Sequence, residues 1–143
     1  MEYSIRRTNI DDFETVFGIK KNALGNYIEQ TWGWDEDFQR KMQIDEFKTE
    51  NISLIEVDGK TIGTIGINEK EDNIIISRLY IIDSYQSKGI GSKIINDIID
   101  KYPGKTLQLG VLKVNSRAKK LYEGLGFKVY GEENEHYKME YKS

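Results

Sequence analysis

A strongly apolar run from Ile74 to Ile82 is followed closely by Gln86-Ser87-Lys88-Gly89-Ile90-Gly91-Ser92, and then by apolar residues at helical spacing from Ile90 to Tyr102. That order predicts a strand, a glycine-bearing turn and a helix start. A run with so little polarity belongs in the middle of a sheet rather than at its edge. The first N–H groups of a helix lack intrahelical partners and carry about half a positive charge. Glycines let the backbone approach an anion closely enough for those N–H groups to reach phosphate oxygens. Lys88 can add charge to such a cradle. A plain glycine-rich turn is the structural alternative. Two other phosphate-binding patterns fail on spacing. Gly104-Lys105-Thr106 has the end of a P-loop, but Ile99 stands where the upstream glycine is required and the segment leads into a strand. A dinucleotide fingerprint needs a third glycine where Ile94 stands.

Around this unit the pattern alternates between strands and helices. Glu2 to Arg7 reads as a short first strand. Asn9 or Asp11 can cap a helix whose apolar stripe is Ile10, Phe13, Val16, Phe17 and Leu24, broken at Gly25 and briefly resumed at Tyr27-Ile28. Asp35 to Phe47 reads as a second helix, joined to the first by the aromatic and acidic connector Tyr27–Asp37. Ile52 to Val57 and Lys60 to Asn68 form a hairpin around Asp58-Gly59, a dipeptide favoured in type I′ turns. Gly63 and Gly66 weaken the return strand or mark a bulge. The third helix turns Ile90, Ile94, Ile95, Ile98 and Ile99 inward and stops at Pro103-Gly104. Leu107, Leu109 and Val111 alternate in a further strand. Ser116 to Leu125 is a short helix, and Phe127–Glu132 pairs with His136–Lys142 about a polar turn. The sum is an α/β chain on a mixed sheet of six or seven strands.

The short helix carries a second motif. Asn115, Ala118, Leu121, Tyr122, Gly126 and Phe127 fit Asn-x-x-Ala-x-x-Leu-Tyr-x-x-x-Gly-Phe, and Gln86, Gly89 and Gly91 fit Gln/Arg-x-x-Gly-x-Gly/Ala. Together, from about Ile74 to Phe127, they resemble the Gcn5-related N-acetyltransferase (GNAT) family. The resemblance implies one N-acetyltransferase domain over residues 1–143. Its fold would be a mostly antiparallel sheet flanked by about four helices, with a splayed central parallel pair. The cofactor implied is acetyl-CoA. Leu79, Tyr80 and Ile81 align with the strand whose main chain receives the pantetheine amides, as an added strand would. Gln86, Ser87, Lys88, Gly89, Ile90, Gly91 and Ser92 would hold the pyrophosphate. Asn115 and Ala118 complete the cofactor set, with Asn115 free to cap the short helix as well. Gly110 occupies a bulge-prone place in the neighbouring strand.

Tyr122 is the implied catalytic residue. Thioester aminolysis expels a thiolate, and a phenol with its ordinary pKa near 10 is protonated at neutral pH and able to serve as general acid. Periodicity by itself reads Tyr122 as packing on the apolar face of its helix. For the base, Glu29, Glu36, His136 or ordered water are open. The glutamate that ribosomal-protein alanine acetyltransferases place five residues before the motif asparagine is Gly110 here. Tyr27, Glu29, Trp32 and Trp34 are the acceptor-wall candidates: aromatic rings and acids suit a cationic amine, or the tryptophans anchor a loop on the core. The implied acceptor is a primary amine on a small molecule or a protein, including a protein N-terminus or lysine. A catalytically silent acyl-CoA sensor is the alternative from another class. Tyr130, Tyr137 and Tyr141 on the last strands are placed to serve a homodimer.

Composition restricts the remaining classes. The net charge is −3 and the pI about 5.3, with no long like-charged run, which argues against nucleic acid as partner. The chain has no cysteine, hence no thiolate nucleophile or disulfide, and with one histidine offers poor material for a metal site. It shows no signal-peptide pattern and no apolar run of membrane-spanning length, so the expected location is cytoplasmic.

Overall fold

The computed structural model describes residues 2–142. Seven strands form one sheet in the order β1-β2-β3-β4-β5-β7-β6. They are β1 (Ser4–Arg7), β2 (Ile52–Val57), β3 (Lys60–Glu69), β4 (Asn73–Ile81), β5 (Thr106–Leu112), β6 (Lys128–Glu133) and β7 (His136–Tyr141). The helices are α1 (Phe13–Trp32), α2 (Glu36–Thr49), α3 (Ile90–Lys101) and α4 (Ser116–Gly124). The apolar run takes the central position, as β4. Its pairing with β5 is parallel and covers Asn73↔Thr106 to Ile75↔Gln108. Among the described residues no further register joins the two, although β4 continues through Ser77 and β5 through Leu112. The chain divides into two compact units, Met1–Gly66 with Arg78–Ile90, and Ile67–Ser77 with Gly91–Ser143.

In the first unit Asn9 does cap, but it caps a short 3-10 turn at Ile10–Asp12. Its side chain accepts from the Asp11 N–H at 2.9 Å, and the Asp12 carboxylate accepts from the Asn9 N–H at 2.9 Å. This reciprocal box leaves Ile10 73% exposed, off the apolar stripe assigned to it. Gly25 does not break α1, which runs unbroken from Phe13 to Trp32. An interior glycine costs about 1 kcal/mol, and burial of Val16, Phe17, Ile19 and Ile28 on that helix, at about 1.5–3 kcal/mol per large apolar side chain, outweighs it. The expected connector therefore shrinks to Gly33–Asp35, and Tyr27–Trp32 is helical. Val16, Ile19 and Leu54 form a buried cluster against which Phe47, Tyr80 and Ile82 pack. The hairpin turn has φ of 52° at Asp58 and 76° at Gly59, the double left-handed pair a type I′ turn requires. The expected bulge lies beside Gly63: Ile55 pairs with Gly63, and Glu56 with Thr61.

In the second unit Ile94, Ile95 and Ile98 of α3 are buried, as are Ile74, Leu107, Phe127 and Met139. Tyr122, Phe127 and Tyr141 pack in series as tilted rings, with centroids 5.8 and 5.7 Å apart. Gly110 keeps its place in a continuous β5–β7 register from Leu107↔Tyr141 to Leu112↔His136, and lies beyond Gln108, the last β5 residue paired with β4. Lys138, opposite Gly110, carries the side chain of that pair. A register shift falls between Val129 and Gly131, on β6.

Candidate active site

At the end of β4, Leu79, Tyr80 and Ile81 are half-buried. Tyr80 lies against the Val16–Ile19–Leu54 cluster. Just before them Arg78 takes φ 49°, a left-handed conformation inside a strand, which a non-glycine residue adopts only when its surroundings hold it there. Three contacts do so. Thr64 Oγ1 donates to the Arg78 carbonyl at 2.8 Å, the guanidinium meets Glu46 of α2 at 3.2 Å, and it also pairs with Glu50. Glu46 in turn lies 4.0 Å from Lys20, whose ammonium pKa is lowered chiefly by burial. No sequence signal marks Arg78; its conformation depends on partners from β3 and α2. Gly63 completes the arrangement, since a Cβ there would overlap the Tyr80 carbonyl oxygen and crowd the Ile81 Cα.

The loop after β4 turns through a 3-10 segment, Asp83–Tyr85. Gln86 ties this loop to the strand end, its Nε2 donating to the Ile81 carbonyl at 2.7 Å. Ser87 and Gly89 have φ of 61° and 84° on either side of Lys88, and Ile90, 2% exposed, begins α3. A turn of this kind directs main-chain N–H groups toward one side, a geometry suited to anions. A Cβ at Gly89 would meet nothing within 4 Å, so the demand for glycine there is conformational. Gly91 and Ser92 follow, half-buried, in the first turn of α3.

In the second unit Asn115 is buried and its Oδ1 accepts the Ala118 N–H at 3.1 Å, so it caps α4. Tyr122 is 7% exposed. Burial pushes its phenol up to about 12, with Arg117 pulling weakly the other way; the ordinary value near 10 does not apply. A free thiol has a pKa near 8.5, so complete proton transfer from Tyr122 to a thiolate runs uphill in this environment. What the phenol offers throughout the neutral range is an O–H donor. The shift also sets a stability signature. The folded pKa lies above the unfolded one, so the contribution is complete below pH 10 and is lost as pH rises from about 10 to about 12. At about 1.4 kcal/mol per unit, the loss approaches 3 kcal/mol. Tyr122→Phe is expected to flatten that part of the alkaline limb in urea titrations, relative to the parent chain.

The acceptor-wall residues split by role. Trp34 packs on Phe17, with centroids 5.9 Å apart, and its Nε1 donates to Glu36 at 2.8 Å. Glu36 also meets Lys21 at 3.0 Å and Arg40 at 3.6 Å, and these contacts, the indole hydrogen bond first, hold its carboxyl below the usual range. Glu29 accepts the Trp34 main-chain N–H at 2.6 Å, across the end of α1. Both acids are thus engaged in closing the α1–α2 connection. Tyr27 is half-buried within α1, whereas Trp32 is 58% exposed. His136 is half-buried at the start of β7, opposite Leu112.

The sequence profile of the acetyltransferase (GNAT) family matches residues 16–127. The chain belongs to that family. Members are acyltransferases that use acetyl-CoA. The "Probable N-acetyltransferase camello" of Xenopus tropicalis is 29% identical over an alignment 103 residues long that covers 64% of this chain and 47% of that protein; the chain thus spans about half the length of this curated relative. Among solved structures, the PaiA N-acetyltransferase from Thermoplasma acidophilum in complex with coenzyme A superposes with a TM-score of 0.74 at 21% identity, over 100% of both chains. A GNAT-family acetyltransferase from Streptococcus agalactiae gives a TM-score of 0.77 at 11% identity, over 99% of this chain and 95% of its own. At such identities the likeness establishes a shared GNAT fold. Among the described residues no helix is long and apolar enough to cross a membrane.

Proposed function

We propose that this GNAT chain transfers the acetyl group of acetyl-CoA to a primary amine, on a small molecule or a protein, by direct attack in a ternary complex. The observation that carries the reading is the loop at Gln86–Ser92. It is pinned to the β4 end by Gln86, bent through left-handed Ser87 and Gly89, and leads directly into α3. Main-chain donors in this form fit a pyrophosphate, and an added strand along Leu79–Ile81 fits the extended amide arm of coenzyme A. Acetyl-CoA supplies the acyl group as an activated thioester. The residues from Ser87 to Ser92 bind and orient it, which contributes the proximity advantage. Strand N–H groups at Leu79–Ile81 polarise the reacting carbonyl. Tyr122 holds a proton on its Oη for the departing sulfur. With no cysteine in the chain, no side-chain thiolate is available to carry the acyl group between donor and amine. Glu36 is occupied by Lys21, Arg40 and Trp34, and the reading assigns the amine proton to solvent.

Thiol release from acetyl-CoA, followed against polyamines, aminoglycosides, amino acids and short peptides, tests the proposal. Acceptor-dependent release is expected with at least one class. Gly89→Val, which forces a β-branched residue into φ 84°, is expected to weaken acetyl-CoA binding by tenfold or more while the chain still folds. Tight cofactor binding with no release across the panel would instead support the silent sensor.

A further inference from the structure

Three tyrosines, Tyr85, Tyr102 and Tyr137, each have two lysine ammonium groups over the ring. The lysines at Tyr137 are compensated: Lys113 pairs with Glu132 at 2.7 Å and Lys119 with Glu123 at 3.6 Å. At Tyr102, Lys105 is held by Glu69 at 3.1 Å. Tyr85 differs. Lys60 Nζ and Lys88 Nζ lie 5.4 and 5.7 Å from its ring centroid, and among the described residues neither has a carboxylate within 4.0 Å. The two come from separate segments. Lys60 begins β3 just after the hairpin turn, and Lys88 sits between the two left-handed residues of the loop. The Ile82 N–H bond to the Ile62 carbonyl, at 2.9 Å, fixes the β3 start beside the segment that carries Tyr85.

We propose that Lys60, Tyr85 and Lys88 form a subsite for the 3′-phosphate at the nucleotide end of coenzyme A, separate from the main-chain contacts to its pyrophosphate. The proposal rests on the acetyl-CoA reading and extends it to a residue, Lys60, outside both sequence motifs. Charge decides which phosphate is meant. Each phosphate of the pyrophosphate bridge carries a single negative charge, which neutral N–H donors of a turn can satisfy. A phosphate monoester carries between about −1.5 and −2 near pH 7, and matches two ammonium groups. Lysine suits this as a point charge without a fixed fork geometry. The Tyr85 ring attracts each ammonium group through cation–π contact before the phosphate arrives, and so lowers the ordering cost of two long side chains on binding.

Calorimetric titration of coenzyme A and 3′-dephospho-coenzyme A into the parent chain and into Lys60→Gln, Lys88→Gln and the double variant tests the subsite. The parent is expected to bind coenzyme A roughly tenfold more tightly than the dephospho form, as charge-assisted contacts to one dianion allow. Each single variant should narrow that preference and the double variant should erase it, and Lys60→Gln, which lies outside the pyrophosphate loop, should act with dephospho-coenzyme A affinity retained. The preference should also shrink with added salt, because both lysines are exposed. Equal affinity of the parent for the two ligands overturns the subsite alone. Equal weakening of both ligands in Lys60→Gln also overturns it, by moving that lysine to the pyrophosphate. Binding of neither ligand to the parent chain overturns the acetyl-CoA reading itself, and the subsite with it.

Discussion

Tyr122→Phe is expected to lower turnover by about two orders of magnitude, the lower end of what a positioned proton donor contributes, with acetyl-CoA affinity kept within about threefold. The substitution preserves the ring that packs 5.8 Å from Phe127 and removes only the hydroxyl, so the fold is expected to remain within about 1 kcal/mol of the parent. The raised phenol pKa of about 12 shapes the rest of the expectation. A donor so weakly acidic assists sulfur departure by sharing its proton as negative charge grows, instead of surrendering it beforehand. It also stays protonated across the pH range of an ordinary assay. Any fall in the parent rate between pH 8 and 10 is therefore expected to persist in the variant. Steady-state rates with the best acceptor, alongside calorimetric acetyl-CoA binding, separate the outcomes. A parent-like rate would remove Tyr122 from the chemistry and return it to packing; loss of cofactor affinity together with rate would make it a binding residue.

The second large effect is on stability. Gly63→Ala is expected to cost about 1–3 kcal/mol, in the range measured for overpacked interiors. Propensity alone points the opposite way, because alanine in place of glycine inside a strand gains about 0.5–1 kcal/mol. Geometry decides the sign. The new Cβ would overlap the Tyr80 carbonyl oxygen and stand 3.3 Å from Ile55 Cδ1 and 3.4 Å from the Ile81 Cα. Two of those neighbours are main chain, which cannot rotate aside as a flexible side chain can. Relief must therefore come from moving β4 at Tyr80-Ile81, the stretch assigned to the pantetheine arm, and acetyl-CoA binding is expected to weaken with stability. Gly18→Ala is the matched control. It lies in α1, where a Cβ would meet nothing within 4 Å, and is expected to stabilise by about 0.5–1 kcal/mol. Urea unfolding of the three proteins checks both signs; a Gly63→Ala midpoint at or above the parent's would show that β4 yields without cost.

The amino-acid sequence determined those features whose causes lie within a few residues of each other. The apolar run Ile74–Ile82 became the central strand, Asp58-Gly59 made the type I′ hairpin, Pro103-Gly104 followed the end of α3, and Asn115 capped α4. Each depends on periodicity, on a permitted φ, or on a side chain reaching its own neighbours. The tertiary structure decided what depends on partners distant in the chain. α1 continues through Gly25 because burial along its inner face outweighs a local propensity. Glu29 and Glu36, legible as acids facing an amine, gain partners in Trp34, Lys21 and Arg40 that no local pattern announces. Arg78 is left-handed because Thr64, Glu46 and Glu50 converge on it, and Lys60 and Lys88, from separate segments, both lie over the ring of Tyr85. The acidity of Tyr122 belongs to the same group, since a pKa follows from burial and burial exists only once the chain has closed around it.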